Sequence, residues 1–209
     1  MANKKIKAAV NGYGVIGKRV ADAIKLQPDM ELVGVADVVS DYRVKAAVVL
    51  GLPVYASLPE KSNEMKDAGI PIAGNLDDLL KKIDIIVDCT PKGIGAKNLE
   101  LYIKAGVKAI YQGGEKHSLT GHSFVAQANY ETALGLNATR VVSCNTTSTV
   151  RTLIALRNAD LLKKNTRCFN KTGNRSLGIR PQWNYEYSCT RTAYSKPSGT
   201  GCSNSCTGT

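Results

Sequence analysis

No run of apolar residues in this chain is long enough to cross a bilayer, which excludes a membrane-spanning helix of ordinary length. The opening stretch, MANKKIKAAVNG, starts basic but passes straight into a glycine turn. It has neither the apolar core nor the cleavage site of a secretory leader, so a cytoplasmic protein is the expectation. Aromatic residues are sparse, at 6%, and no basic stripe is interleaved with them as base-stacking proteins require. The net charge of +11 is therefore read as a diffuse field suited to phosphorylated metabolites and dinucleotides, not as a nucleic-acid footprint. Histidine is scarcest of the catalytic residue types: only His117 and His122 are present. What is abundant is ordinary for a folded domain, with 43% hydrophobic and 22% charged residues.

From residue 6 to 164, short apolar runs alternate with segments of helical spacing. IKAAVN (6–11), ELVGVAD (31–37), LPVYAS (52–57), DIIVDCT (84–90), VKAIYQ (107–112) and TRVVS (139–143) read as strands. Between them KRVADAIKLQ, YRVKAAVVLG, PEKSNEMKDAG, LDDLLKK and AKNLELYIKAG read as helices, and TTSTVRTLIALRNADLLKK closes the series as a long one. Ser40 and Asp41 are placed to cap the second helix, Gly51 to stop it, and Asn75 to cap the fourth. The stretch after GGEK is read as looser and polar. Strands and helices in strict alternation predict an α/β fold of the Rossmann type, a doubly wound parallel sheet.

NGYGVIG (11–17) fits G-x-G-x-x-G at the end of a strand and the start of a helix, the context in which that string has meaning. Gly12 permits the tight turn, Gly14 lets backbone approach a pyrophosphate, and Gly17 lets the helix pack close to the strand. Asp37, twenty residues beyond Gly17, stands where an acid would bond a ribose 2′-hydroxyl. Arg43 and Lys45 follow and would favour a 2′-phosphate instead. A glycine turn without a ligand and a merely solvated Asp37 are the plainer readings.

VVSCNTT (141–147) puts Cys144 where an apolar strand gives way to helix-capping residues. A thiol at a helix N-terminus feels the positive end of the dipole, which lowers its pKa. The carboxyl ends of parallel strands are also where a dinucleotide binds, so Cys144 is expected to be a thiolate near the nicotinamide. The competing reading is a small buried apolar cysteine. Cys89, with no capped helix start after it, is read as structural.

After residue 164 the alternation stops. Ser, Thr, Asn and Gly supply 23 of the last 45 residues, which leaves too few aliphatic side chains for a core, and a low-order tail is expected. Four of the six cysteines, Cys168, Cys189, Cys202 and Cys206, lie there at spacings that match no common zinc pattern, so no metal site is expected.

NGYGVIGKRVADAI, IIVDCTPKGIGAKN, YQGGEKH and VVSCNTT followed by VRTL together resemble the archaeal-type phosphorylating glyceraldehyde-3-phosphate dehydrogenases over about residues 5–164. The resemblance implies an NAD(P)-binding Rossmann domain over 1–143 and the start of a catalytic domain over 144–164, with 165–209 a divergent tail. It implies NAD or NADP as cofactor and Cys144 as the nucleophile, with Ser143 and Asn145 beside the substrate. Val15, Ile16, Gly113 and Gly114 would match cofactor contacts. The implied reaction takes glyceraldehyde 3-phosphate and inorganic phosphate to 1,3-bisphosphoglycerate through a cysteine thioester, in a homotetramer. The family continues with a paired-arginine strand, a proline-rich stretch and adjacent histidines, none of which is readable after Lys164. The abrupt change of composition is what a shifted reading frame would produce. His117 and His122 precede the cysteine and read as loop or surface residues, not as its base. The alternatives are a catalytically inactive dinucleotide-binding fragment and a semialdehyde dehydrogenase, which also places a cysteine after a Rossmann domain.

Overall fold

A computed structural model describes residues 4–162 together with 187–188 and 207–208. The expected low-order tail and its four cysteines lie outside the described residues, apart from Tyr187–Ser188 (β9) and Thr207–Gly208 (β10), which pair antiparallel.

The chain divides into two compact units, Met1–Val142 and Ser143–Thr209. The first is built on an eight-stranded sheet, ordered β4-β3-β2-β1-β5-β6-β8-β7, in which every pairing is parallel. Its strands are β1 (Ile6–Asn11), β2 (Met30–Asp37), β3 (Val54–Ala56), β4 (Ile72–Asn75), β5 (Ile85–Asp88), β6 (Lys108–Tyr111), β7 (Ser123–Phe124) and β8 (Ala138–Val141). The helices between them are α1 (Val15–Lys25), α2 (Tyr42–Val49), α3 (Lys61–Asp67), α4 (Leu76–Leu80), α5 (Ile94–Lys104), α6 (His117–Thr120) and α7 (Ala126–Ala133). The second unit contributes α8 (Cys144–Asn158). The doubly wound parallel sheet expected from the alternation is therefore present.

Successive residues of one strand pack into different clusters, because strand side chains alternate across the sheet. Ala8, Val10, Val35 and Val87 join one hydrophobic cluster; Ala9, Ala36 and Ile86 join the other. A sheet covered on both faces explains why DIIVDCT reads as a continuous apolar run. α1 buries Gly17, Ala21 and Ile24 at helical spacing, the last two within the first cluster.

The strand order reverses between β1 and β5, so the crevice beyond their carboxyl ends is the place where such sheets bind ligands. Asn11–Gly12 and Asp88–Thr90 leave the sheet at that point.

Several expected elements take different bounds. IAGN forms β4, an unanticipated edge strand whose proline and glycine neighbours mask its pattern. The stretch read as loose and polar contains α6, β7 and α7, the last broken by non-helical backbone at Asn129. α8 begins at Cys144 itself and ends at Asn158, followed by Asp160 at φ 54, so residues 159–162 do not extend it. Asp41, not Ser40, caps α2. No helix among the described residues is long and apolar enough to cross a membrane.

Candidate functional site

The turn between β1 and α1 is shaped by three glycines with three separate duties. Gly12 has φ +90, and a Cβ there would stand 2.9 Å from the Cys89 carbonyl carbon and from the Thr90 nitrogen. Gly17 lies under the turn: a Cβ on it would meet the Gly12 oxygen at 1.9 Å, so only glycine lets α1 approach β1 this closely. Gly14 is different. The nearest atom to a Cβ at Gly14 is Nη1 of Arg43, at 3.9 Å, so the space over its backbone is open. Gly14 is also the N-cap of α1, with no side chain capping the helix and no acid in its first turn. The first two residues of that helix, Val15 and Ile16, are exposed. An uncapped eleven-residue helix start with open backbone above it can receive a phosphate.

Asp37 closes the turn from β2. Its Oδ2 accepts from the Tyr13 backbone N–H at 2.6 Å, and its Oδ1 from Val38 at 2.7 Å and Val39 at 3.3 Å. A carboxylate oxygen can accept more than one bond, so Asp37 retains capacity toward a ribose hydroxyl. Beyond it, an open depression of about 470 Å³ is lined by Val38, Val39, Ser40, Asp41, Lys61 and Glu64. Asp41 caps α2 by accepting from the Arg43 N–H at 2.9 Å. It also accepts from Nε of Arg43 at 2.7 Å and from its Nη2. The Arg43 bonds hold the Asp41 carboxyl below its ordinary range.

Sequence reasoning missed a buried polar chain beneath the turn. Ser57 Oγ donates to Asn11 Oδ1 at 2.6 Å, and Asn11 Nδ2 donates to the Tyr102 hydroxyl at 2.8 Å. The Tyr102 hydroxyl donates to Asp88 Oδ2 at 2.7 Å, and Asn98 Nδ2 donates to the same oxygen at 2.9 Å. Asp88 Oδ1 accepts from the Thr90 N–H at 3.0 Å and from the Thr90 hydroxyl. Asn11 and Asp88 are each 1% exposed, so this saturation is required to bury them. Burial, then the Asp88 charge, pushes the Tyr102 hydroxyl above its ordinary value, which keeps it a donor. The chain locks the ends of β1, β3 and β5 together. Its one sequence signal was a pair of polar residues, Asn11 and Asp88, closing otherwise apolar strands.

Gly113 and Gly114 of GGEK take different roles. A Cβ on Gly113 would fall 2.1 Å from the Thr90 oxygen, so this glycine lets the chain leaving β6 pass against the end of β5. Gly114 has φ +81 and open surroundings. The following residue, Glu115, is 5% exposed and accepts from the Gly93 N–H at 2.6 Å, which places its charge at the start of α5. The two neighbouring helix starts thus differ: α5 carries a carboxylate, and α1 carries none. Arg140 bonds the Glu115 carbonyl oxygen at 2.8 Å and Ser123 Oγ at 2.8 Å.

His122 bonds Thr139 Oγ1 through Nδ1 at 2.7 Å and Thr132 Oγ1 through Nε2 at 2.9 Å. Burial, then the charge of His117, lowers its pKa, so the ring is neutral at pH 7 and tied on both sides. His117 opens α6 and bonds Ser123 Oγ at 2.9 Å.

In the second unit Cys144 is the first residue of the fifteen-residue α8 and is exposed. Ser143 is the N-cap, its Oγ accepting from the Thr146 N–H at 3.2 Å. Asn145 occupies the next position of the first turn. Cys89 contrasts with it: the thiol packs against the hydrophobic cluster under β1, and burial, then Asp88, pushes its pKa up to about 12. Cys89 is accordingly a poor thiolate. Among the described residues, no group of three or more His, Cys, Asp or Glu could hold a metal ion.

A family model described as dihydrodipicolinate reductase, N-terminus, matches residues 6–114. The chain is 58% identical over 153 residues to the glyceraldehyde-3-phosphate dehydrogenase of Pyrococcus abyssi, covering 73% of this chain and 46% of that protein. It is 53% identical over 148 residues to the enzyme of the same name from Methanothermobacter thermautotrophicus, covering 71% and 44%. The chain thus spans a little under half the length of the curated relatives it matches. Among solved structures, an aspartate semialdehyde dehydrogenase II from Vibrio cholerae superposes with a TM-score of 0.50 at 17% identity, over 75% of this chain and 47% of that one, a likeness of fold.

Proposed function

The chain belongs to the family of the dihydrodipicolinate reductase N-terminus, and from that membership and its identity to the archaeal glyceraldehyde-3-phosphate dehydrogenases we propose that it binds NAD or NADP at the β1–α1 turn and carries the nucleophile of that phosphorylating dehydrogenase. Residues 1–143 are the dinucleotide-binding domain in this reading, and 144–164 open the catalytic one. The observation that carries the binding half is the α1 start: open above Gly14, uncapped, and faced by Asp37. Backbone N–H groups from Gly14 onward would receive the pyrophosphate, with Val15 and Ile16 against the cofactor. Asp37 would accept from the ribose, and the depression beside Val38 and Val39 would take the adenine. Gly113 and Gly114 would border the nicotinamide end.

Cys144 would act as nucleophile. Its thiolate adds to the aldehyde carbon of glyceraldehyde 3-phosphate, and the alkoxide so formed takes a proton to give a thiohemiacetal. Oxidation of this thiohemiacetal to the thioester removes its hydroxyl proton to a base and a hydride from its carbon, for which the bound dinucleotide would be the acceptor. The acyl group left on sulfur is displaced by inorganic phosphate, which restores the thiolate and gives 1,3-bisphosphoglycerate. Ser143 and Asn145 would lie beside the substrate. The identity to enzymes of this name favours the triose phosphate over a semialdehyde. A cytoplasmic location follows from that substrate, and a homotetramer is the assembly the resemblance implies.

A second reading is a fragment that binds dinucleotide without turnover. It is favoured by the histidines, since His122 is bonded through both ring nitrogens and His117 bonds Ser123, so each ring is already engaged. Titration with NADH and NADPH, followed by an assay with glyceraldehyde 3-phosphate, phosphate and NAD(P)+, separates the two. Turnover removes the fragment reading; binding without turnover supports it; absence of binding removes both.

A further inference from the structure

The structure gathers charged groups beside the glycine turn, where the 2′ position of the dinucleotide would lie. Asp37 stands against the glycine turn, 2.6 Å from the Tyr13 nitrogen. Arg43 turns Nη1 toward the same turn, 3.9 Å from where a Cβ of Gly14 would sit. The guanidinium is near enough to Asp37 to feel its charge. An arginine in that position would ordinarily accept a 2′-phosphate. Here, however, Nε and Nη2 both point at Asp41, in a pair held within the first turn of α2. Lys61, which lines the same depression, is paired with Glu64 at 2.6 Å.

We propose that Asp41 sets the choice of dinucleotide by holding Arg43, which reserves the site for the free 2′-hydroxyl of NAD; the proposal rests on the dinucleotide reading above. With the pair intact, a phosphate dianion at the 2′ position meets two carboxylates and one guanidinium whose charge is already matched. A hydroxyl instead finds in Asp37 an acceptor with capacity to spare. Removing the Asp41 charge leaves the guanidinium able to swing its Nε–Nη2 edge to a phosphate, where charge-assisted bonds are strong. Asp41 is thus a specificity-determining residue that acts through Arg43.

The test is fluorescence titration of the full chain with NADH and with NADPH. The variants are Asp41→Asn and Asp41→Ser, both of which keep a capping side chain on α2, then Arg43→Ala, and the double variant Asp41→Asn/Arg43→Ala. The expected result is that the wild type prefers NADH by about tenfold or more, and that Asp41→Asn tightens NADPH about tenfold with NADH changed less than twofold. The gain should vanish in the double variant. Asp41→Ser should reproduce the gain, and thermal melting verifies that each variant is folded. The proposal is overturned if the wild type binds NADPH as tightly as NADH, if neither Asp41 variant gains NADPH affinity, or if the gain survives loss of Arg43. If the wild type binds neither nucleotide, the dinucleotide reading itself falls.

Discussion

The hydroxyl of Tyr102, on α5, donates to the carboxylate of Asp88, the last residue of β5, across 2.7 Å, and both side chains are all but completely buried. Asn11 donates in turn to that hydroxyl, so one phenol oxygen ties two strand ends and a helix together beside the glycine turn.

Removing that oxygen should therefore cost far more than removing its neighbour's. Tyr111 has a buried hydroxyl without a hydrogen-bond partner among the described residues. Tyr102→Phe strands a buried carboxylate lone pair and the Asn11 amide, and is expected to lose about 1–3 kcal/mol. Tyr111→Phe should be neutral or stabilising by up to about 1 kcal/mol, since it discards an unpaired polar group. Urea unfolding of the two variants measures the contrast; equal losses would contradict the network.

The glycines of the turn should separate fold from ligand. Gly17→Ala drives a methyl to 1.9 Å from the Gly12 oxygen and is expected to cost about 3 kcal/mol or more. Gly14→Ala meets nothing closer than 3.9 Å, so its melting temperature should stay near that of the wild type. The new methyl fills the space over the α1 start, however, and NADH affinity should drop at least about tenfold. Unchanged NADH binding in Gly14→Ala would argue against the pyrophosphate position.

Among the two described thiols, brief alkylation of the folded chain near pH 8 should modify Cys144 and spare Cys89, as read by peptide mass mapping. Cys144 is exposed, whereas Cys89 is held protonated with its pKa near 12. Rapid labelling of Cys89 in the folded state would show that the strand end opens.

The raised pKa of Cys89 also has a pH consequence. The thiol ionises at about its ordinary value of 9.0 when unfolded but near 12 when folded. Its contribution to stability is therefore complete below pH 9 and falls as pH rises through the interval to about 12, by up to about 1.4 kcal/mol per pH unit. In Cys89→Ala that component disappears, so the stability of wild type relative to the variant should decline between pH 8 and 10. A constant difference would mean that the thiol titrates alike in both states.

Replacing the nucleophile offers a further separation of roles. Cys144→Ser should abolish any oxidation of glyceraldehyde 3-phosphate and leave NADH affinity within about twofold, because the hydroxyl is a far weaker nucleophile on a side chain of similar size. Activity retained in this variant would contradict the assigned role.

The sheet was legible because β1, β2, β5 and β6 are apolar runs buried on both faces, and because the glycine turn announces the first βα junction. β4 was not, since IAGN is short and half-exposed, flanked by proline on one side and a helix cap on the other. The region around α7 hides its helix behind a backbone break at Asn129, whose side chain bonds the Val125 N–H and the Ser123 carbonyl oxygen. The glycines, Asp37 and Cys144 could be picked out by local spacing. Asp88, Tyr102 and Glu115 could not, because their meaning lies in partners far along the chain, 91 residues apart for Asn11 and Tyr102. Arg43 was visible as a charge, but its engagement by Asp41 is a matter of side-chain geometry.

The sheet is longest at its centre, in β1 and β2, and shrinks to three- and four-residue strands at one margin and a two-residue strand at the other. A margin that short offers a foreign strand only a few N–H and C=O groups to zip onto. The taper is thus a safeguard against edge-to-edge aggregation, built into the same sheet whose middle holds the glycine turn.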